Sequence, residues 1–596
     1  MPTTSSAPAV SRRRWLDRNL AALAARAPTL ADEIRRGPDD GPGVEMETQA
    51  EAMAAVSTFQ PKPGPGGMGP PVYVLQPCGA DRLRALLTSR LGTRSRQPVV
   101  VVEPDALRLR AALSAGDWSQ VIADARLRWA VGPDSVAACK ASFGNDPCFW
   151  FEGASFVFGS AAAEEQVRHG PPQNHWKKFL AAAAADLQQT ISNLEVLRQA
   201  WGDFRAARPP LAALPAGQAR VFGVTDVNTT ALKYIYRDLL DAAAGRGHPV
   251  TLHEEDYLSD PFRAHRRARA FLEAKPDLLL CLIQSGWQAF GAFSEGLPVA
   301  VYYSSDPDRY PLEAAKFTPL DHVFVADRAW VKTLAAHGAQ ARVLPLATSM
   351  HRAEIPADGE QWTCDAVMVG NLTGPNRVLP EATDTVLARI SDLGEKLARD
   401  PTASADELAR RSSFSSPGEG DREIARAIEV AATYALRRRA AVVLAEAGID
   451  LRIYGNEQWA VALKGTAAAG CYRRPLDYRS EVPAAYHHAA VVVNVSSVNA
   501  PEALNMRAFD VPAAGGCLVT DDRPGVRDAF EVGREVVVYK RLEDLPVIIG
   551  DLRADPAGRN AIAEAGRARV LASHTYDQRW TAILAACAAS PSEGHP

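Results

Sequence analysis

The chain has 596 residues, too many for one core, and its 47% hydrophobic and 23% charged residues describe a globular protein able to bury several cores. Lys and Arg total 66 against 70 acids, a net charge of −4, so no overall field attracts nucleic acid and nucleic-acid binding is disfavoured. Eight cysteines (Cys78, Cys139, Cys148, Cys281, Cys364, Cys471, Cys517, Cys587) are scattered without a CxxC pair or zinc-finger spacing, as thiols of a reducing compartment would be.

The first residues are polar, then basic (Arg12, Arg13, Arg14), with no apolar core of a leader after them. No apolar run approaches the roughly 18 residues of a membrane span, so the expectation is a cytoplasmic, non-spanning protein, with peripheral membrane contact left open. Leu16, Leu20, Leu23, Leu30 and Ile34 recur at helical spacing, which predicts a helix over 15–36 that stops at Gly37-Pro38. Residues 60–71 (QPKPGPGGMGPP) read as a linker.

From Val72 short apolar strands alternate with helices. Val72 to Leu75, a helix near 81–91 and a strand ending in Glu103 make βαβ grammar. A buried strand that ends in an acid is what a dinucleotide-binding second strand looks like, but the loop Gln76 to Ala80 lacks the G-x-G-x-x-G run. A helix over 176–206 and a Pro-rich hinge at 208–215 close this part.

A second α/β series opens at Arg220, with strands predicted at 220–225, 247–252, 277–283, 298–303, 322–325 and 341–346. Its first turn carries Asn228, Thr229 and Thr230, fit to cap a helix or to meet a ligand. A third series follows at 364–369, 451–454, 490–495, 516–520 and 535–539, with a long insert whose 412–422 part reads as mobile. Two successive Rossmann-like halves make a cleft, and ligands bind at the carboxyl ends of such strands. The domains expected are 1–71 (helix and linker), 72–215 (accessory α/β domain), 216–355 and 356–585 (the two halves) and 586–596 (a disordered tail).

In the third series Glu502 and Asp510 stand eight apart, followed by the small-residue turn Ala514-Gly515-Gly516-Cys517. That spacing suggests a nucleotide-sugar site: one carboxylate on a loop, the other in the first turn of a helix whose start favours a diphosphate, with Asp510 accepting from ribose hydroxyls. Arg507, between the acids, can neutralise a diphosphate or pair with Asp510. Gly515 and Gly516 allow close backbone approach or a tight turn. Gly370, Asn371 and Arg377 follow the first strand of the third series and face the cleft by topology. Gly455 and Trp459 follow the next strand, where the indole can stack near a base or fill the core. Asp306-Pro-Asp308 reads as a strand-end turn that faces the cleft rather than as a metal-binding D-x-D. His487 and His488 have no third ligand at metal spacing, and no metal site is expected.

The stretch from Tyr454 to Trp580 resembles the C-terminal half of GT-B glycosyltransferases of the CgeB-like (spore maturation protein) group, related to family 4 glycosyltransferases. Tyr454-Gly455, Trp459, Glu481 to Tyr486, Asn494 to Ser496, Leu504 to Arg507, Phe509-Asp510, Gly515-Gly516, Leu518 to Asp521, Phe530 to Glu535, and His574 to Tyr576 with Arg579 carry the likeness. Tyr302 to Pro307, Asp321 to Asp327 and Leu344 to Ala347 resemble the companion half, and the front weakly resembles motility accessory factor (Maf) proteins through Asn19 to Leu23, Ala27-Pro28 and Val99 to Asp105. One departure is that the group's second motif acid is usually Glu, whereas here it is Asp510, one methylene shorter.

The resemblance implies an α/β chain with a GT-B fold, two Rossmann-like domains facing a cleft, preceded by an accessory α/β domain. It implies transfer of a hexosyl-type sugar from a nucleotide-diphosphate sugar to an acceptor hydroxyl of a protein such as flagellin, or of a cell-surface glycan. Transfer would be metal-independent and retaining, with no permanently bound cofactor. Glu502, Arg507 and Asp306 take the catalytic roles. Asp510, Gly515, Gly516, Gly370, Asn371, Arg377, Gly455 and Trp459 hold the donor. A GT-B scaffold without chemistry, serving a glycosylation or flagellar apparatus, is the alternative, and a nucleotide-sugar epimerase is a third possibility.

Overall fold

The computed structural model describes residues 9–36, 72–75, 80–87, 98–124, 126–142, 155–158, 165, 169, 171, 174–206, 218–227, 229, 231–255, 263–310, 312–379, 382–400, 403–412 and 421–588. Cys78, Cys148, Asn228, Thr230, the linker at 60–71, the loop at 76–79, the hinge at 208–215, residues 413–420 and the tail from 589 lie outside the described residues. The chain divides into two compact units: Met1–Ala207 with Thr225–Thr229 and His253–Glu273, and Arg208–Val224 with Thr230–Leu252 and Ala274–Pro596.

In the first unit, strands β1 (Val72–Leu75), β2 (Val99–Glu103), β3 (Leu127–Val131) and β4 (Ser155–Phe158) form a parallel sheet in the order β3-β2-β1-β4. The four consecutive valines of β2 are wholly buried because helices cover both faces of a parallel sheet. Leu16, Leu20, Leu23 and Ile34 pack on one face, and Trp176 and Phe179 of the helix His175–Ala206 pack on the other. The single N-terminal helix expected is two, Ala9–Ala24 and Pro28–Arg36: Pro28 has no N–H to continue the first and starts the second instead.

The second sheet joins β5 (Val221–Asp226), β6 (Val250–Glu255), β7 (Leu278–Leu282), β8 (Val299–Tyr303), β9 (Asp321–Val325) and β10 (Ala341–Val343) in the order β10-β9-β8-β7-β5-β6. The third joins β11 (Ala366–Val369), β12 (Leu451–Tyr454), β13 (Val491–Asn494), β14 (Leu518–Asp521) and β15 (Val537–Tyr539), all parallel, in the order β12-β11-β13-β14-β15. The chain is α/β with parallel sheets, as its sequence led us to expect. Below, the first half means the part of the second unit around β7–β10, and the second half the part around β11–β15.

The insert between β11 and β12 is helical: Asp384–Arg399, Ala405–Arg411 and Asp421–Glu446. Ala440, Ala441 and Leu444 of its last helix cover the face made by Ala366, Ile453, Val491 and Val493. The closing helix, Tyr576–Ala588, returns to the first half. Arg579 Nε donates to the Pro345 carbonyl at 2.6 Å, Arg352 pairs with Asp577 at 2.6 Å, and the helix packs on Leu232–Ala244. A bridge between Thr348 and Thr575 marks where the chain passes between the halves. Among the described residues no helix is long and apolar enough to cross a membrane.

Candidate functional site

The carboxyl ends of β11, β12 and β13 bring together four of the expected residues. Gly370 closes β11 with a φ of 150°, and its N–H donates to the Tyr454 carbonyl at 2.8 Å. Gly455 lies so close that a Cβ there would sit 2.2 Å from the Gly370 oxygen, which is why the second strand end needs glycine. Trp459 donates its indole N–H to that same oxygen at 2.8 Å. Arg507, at the start of the helix Arg507–Ala513, reaches over Gly370, with its Nη1 2.7 Å from where a Cβ would be.

Arg507 has a neighbour that the motifs did not point to. Arg437, on the helix Asp421–Glu446, lines the same small cavity of about 10 Å³ together with Arg507, Gly370, Trp459, Val493 and Val495. Arg507 Nε donates to Asn494 Oδ1 at 2.8 Å and its Nη2 to the Val495 carbonyl at 3.4 Å. Arg437 Nη1 donates to the Asn371 carbonyl at 2.8 Å, and its Nε to the Val495 carbonyl at 3.3 Å. Among the described residues every partner is a neutral oxygen, and neither guanidinium is ion-paired with a carboxylate. Burial and then the positive charge of Arg507 pull the Arg437 pKa down to about 9. Asp521 is nearby but is already paired with Arg523. Two adjacent half-buried cations with no carboxylate partner among the described residues are an arrangement that a diphosphate would relieve.

A cavity of about 1010 Å³ opens on the ends of β13, β14 and β15, lined by Ser496, Asp521, Arg523 and Lys540 from the second half and by Asp306 and Asp308 from the first. Asp306 lines it and caps its own turn by accepting from the Asp308 N–H at 3.1 Å. Asn371 accepts from the Asn456 N–H at 3.0 Å and so fixes its loop. Arg377 ends a short turn, Pro375–Arg377, and is exposed.

Four placements differ from expectation. Asp510 is only 1% exposed; its Oδ1 accepts from Thr348 Oγ1 at 2.6 Å and its Oδ2 from the Tyr478 hydroxyl at 3.1 Å. Both oxygens that would hold a ribose diol are engaged by protein, and burial pushes the carboxyl pKa up to about 7. Gly515 and Gly516 lie at the amino end of β14, the wrong end of the sheet for the donor. Gly515 has a φ of 83° and lines a separate cavity of about 450 Å³ with His487, His488 and Arg559. A Cβ on Gly516 would meet the Tyr486 carbonyl at 2.5 Å, so the pair serves the turn. Trp459 is 2% exposed and belongs to the core, not to a base-stacking surface.

Glu502 stands on the loop between β13 and the Arg507 helix. Its carboxylate points to Arg328, 3.9 Å away, and is absent from the lining of the large cavity, which includes its neighbours Asn499 and Pro501. Arg507 does not pair with Asp510. Thr229 donates its hydroxyl to the Asp226 carbonyl at 2.9 Å. His487 and His488 each bond a backbone carbonyl, of Ala514 and Pro356. In the first unit Glu103 is 1% exposed, accepts from the Asp105 N–H at 2.9 Å, and is pushed up to about 7 by burial.

Residues 426–585 match the family model described as glycosyl transferase-like. The second half of this chain therefore carries a glycosyl transferase-like domain, and that domain holds Arg437, Arg507 and both motif acids. No curated protein matches the chain in sequence. Among solved structures, sucrose-phosphate synthase from Thermosynechococcus elongatus is 13% identical over 62% of this chain and 97% of its own, with a TM-score of 0.41. HepE of Anabaena in complex with UDP-glucose is 11% identical over 62% of this chain and 100% of its own, with a TM-score of 0.39. Likenesses this remote transfer no residue role.

Proposed function

We propose that this chain is a GT-B glycosyltransferase that moves a sugar from a nucleoside-diphosphate donor to an acceptor hydroxyl. The observation that carries this reading is the pair Arg437 and Arg507, side by side and with no carboxylate partner among the described residues, at the strand ends where α/β folds bind ligands. A diphosphate set against both guanidiniums satisfies them. As the glycosidic bond breaks, charge grows on the departing diphosphate, and cations already in place stabilise it most at that moment.

Gly370 and Gly455 add no side chain of their own beside the arginine pair, and Asn371 and Arg377 follow Gly370 on the same loop. In this reading Asp306, on the first-half wall of the large cavity, meets the acceptor, and Glu502 acts at the sugar once its side chain leaves Arg328 and turns into the cavity, its loop backbone staying where it is. Retention of configuration, a protein or cell-surface glycan acceptor, and work in the cytoplasm belong to the same reading. They rest on the CgeB-like and Maf resemblances.

Titration of the full chain with uridine, guanosine, adenosine and thymidine diphosphates tests it. One base class should bind, and Arg437→Met or Arg507→Met should weaken that binding by roughly 10- to 100-fold, the worth of one hydrogen bond to a charged group. Equal affinity in both variants and the parent would overturn the reading. A second reading, a sugar-nucleotide-binding scaffold without transfer, is favoured by the engagement of Asp510 with Thr348 and Tyr478. Binding without hydrolysis or transfer of any donor would decide for it.

A further inference from the structure

We propose that Asp327 is a positioning residue for the transfer reaction: from the first half it grips the loop that carries Glu502, and so fixes that loop only while the halves are closed. This rests on the function proposed above.

Asp327 follows β9 and is 1% exposed. Its Oδ1 accepts from the Ala329 N–H at 2.9 Å, a local turn contact. Its Oδ2 accepts from the backbone N–H groups of Glu502 at 3.0 Å and Ala503 at 2.8 Å, both on the opposite half. A carboxylate removed from water must be compensated, and among the described residues three N–H groups do so with no cation paired to it. Two of the three are lost when the halves part, so Oδ2 keeps its compensation only in the closed arrangement.

The other side of the loop is held by its own half. The Gly525 N–H donates to the Glu502 carbonyl at 3.0 Å, and Arg523 donates to the Ala500 carbonyl. Arg328, next to Asp327, reaches Asp528 at 3.3 Å and the Glu502 carboxylate at 3.9 Å. The backbone of Glu502 is therefore clamped between Gly525 and Asp327, one from each half. Closing the cleft and fixing the backbone that carries the candidate catalytic residue become one event, which keeps the reacting sugar from meeting water before the site is complete.

The test is Asp327→Asn in the full chain, which keeps shape and one oxygen but removes the charge. Hydrogen exchange should show the Glu502 and Ala503 amides exchanging about tenfold faster, with exchange in β13 and β14 unchanged as the control for folding. Transfer kinetics should show kcat lower by about 10- to 100-fold with the KM for donor nearly unchanged, because the diphosphate contacts are untouched. Asp327→Glu, which restores the charge, should recover part of both. Unchanged protection at 502 and 503, or a loss confined to KM, would overturn the proposal. If the parent chain transfers no sugar from any donor, the functional reading fails, and the exchange result alone decides whether Asp327 holds the loop.

Discussion

Thr348 Oγ1 donates to Asp510 Oδ1 at 2.6 Å, joining the segment where the chain passes between the halves to the helix that follows the Glu502 loop. The Tyr478 hydroxyl donates to the other oxygen, and its ring packs tilted against Tyr234 of the helix Leu232–Ala244 with centroids 4.3 Å apart. Arg479 beside it binds Asp238, also 1% exposed, whose pKa burial pushes up to about 6. An acid that the structure raises holds its proton better when folded than when unfolded. Stability should therefore fall as pH rises from about 4, the ordinary Asp value, to about 7, by at most about 1.4 kcal/mol per unit for Asp510. Above that window the curve flattens. Urea unfolding at pH 5 and pH 8 measures the slope; Asp510→Asn should reduce it, and an unaltered slope would assign the titration elsewhere.

Arg507→Met should leave the unliganded protein about as stable as its parent, because a like charge beside Arg437 is removed along with two hydrogen bonds. The difference appears on adding a nucleoside diphosphate. At 100 times its dissociation constant the ligand stabilises the parent by about 2.7 kcal/mol, and a variant binding tenfold more weakly gains about 1.4 kcal/mol at that concentration. Paired thermal scans with and without ligand read this directly.

Gly455→Ala and Gly516→Ala should each cost about 1–3 kcal/mol, since the added carbon meets backbone carbonyl oxygen at 2.2 and 2.5 Å. Only Gly455 adjoins the arginine pair. Nucleotide affinity should drop in Gly455→Ala and hold in Gly516→Ala, as a titration of the two folded variants would show.

Trp459→Phe retains an aromatic face but loses the indole N–H bond to Gly370. Stability should drop by about 1–3 kcal/mol for the unpartnered carbonyl. Nucleotide affinity should be unchanged, whereas a base-stacking role would weaken it.

The strands were legible where β-branched and leucine runs are bounded by turns: β1 and β12 have the bounds that the sequence predicts. Strand β3 was not legible, because Arg128 and Trp129 interrupt its apolar pattern and only pairing to β2 fixes it. The placement of Gly515 and Gly516 could have been read from topology, since a helix-to-strand turn always lies at the amino end of the coming strand, away from the ligand edge. Arg437 also left a trace. It stands in line with Thr433, Ala440, Ala441 and Leu444 at spacings of three, four and seven, on the stripe that faces the core, where an arginine needs a reason. The run Arg437-Arg438-Arg439 hides it, because three cations together look like a solvated face. The burial of Asp510 left no such trace: Thr348 and Tyr478, far from it in the chain, decide it.

The return of the helix Tyr576–Ala588 to the first half bears on how the polypeptide can be cut. Severing the backbone once between β10 and β11 would give a front fragment lacking its last helix and a rear fragment carrying a foreign one, with Tyr576 and Trp580 stripped of their cover. Neither piece would be a self-sufficient module. Isolating the lobe that carries Arg437 and Arg507 calls for two incisions, or for a permuted gene in which that helix is translated beside the lobe it covers.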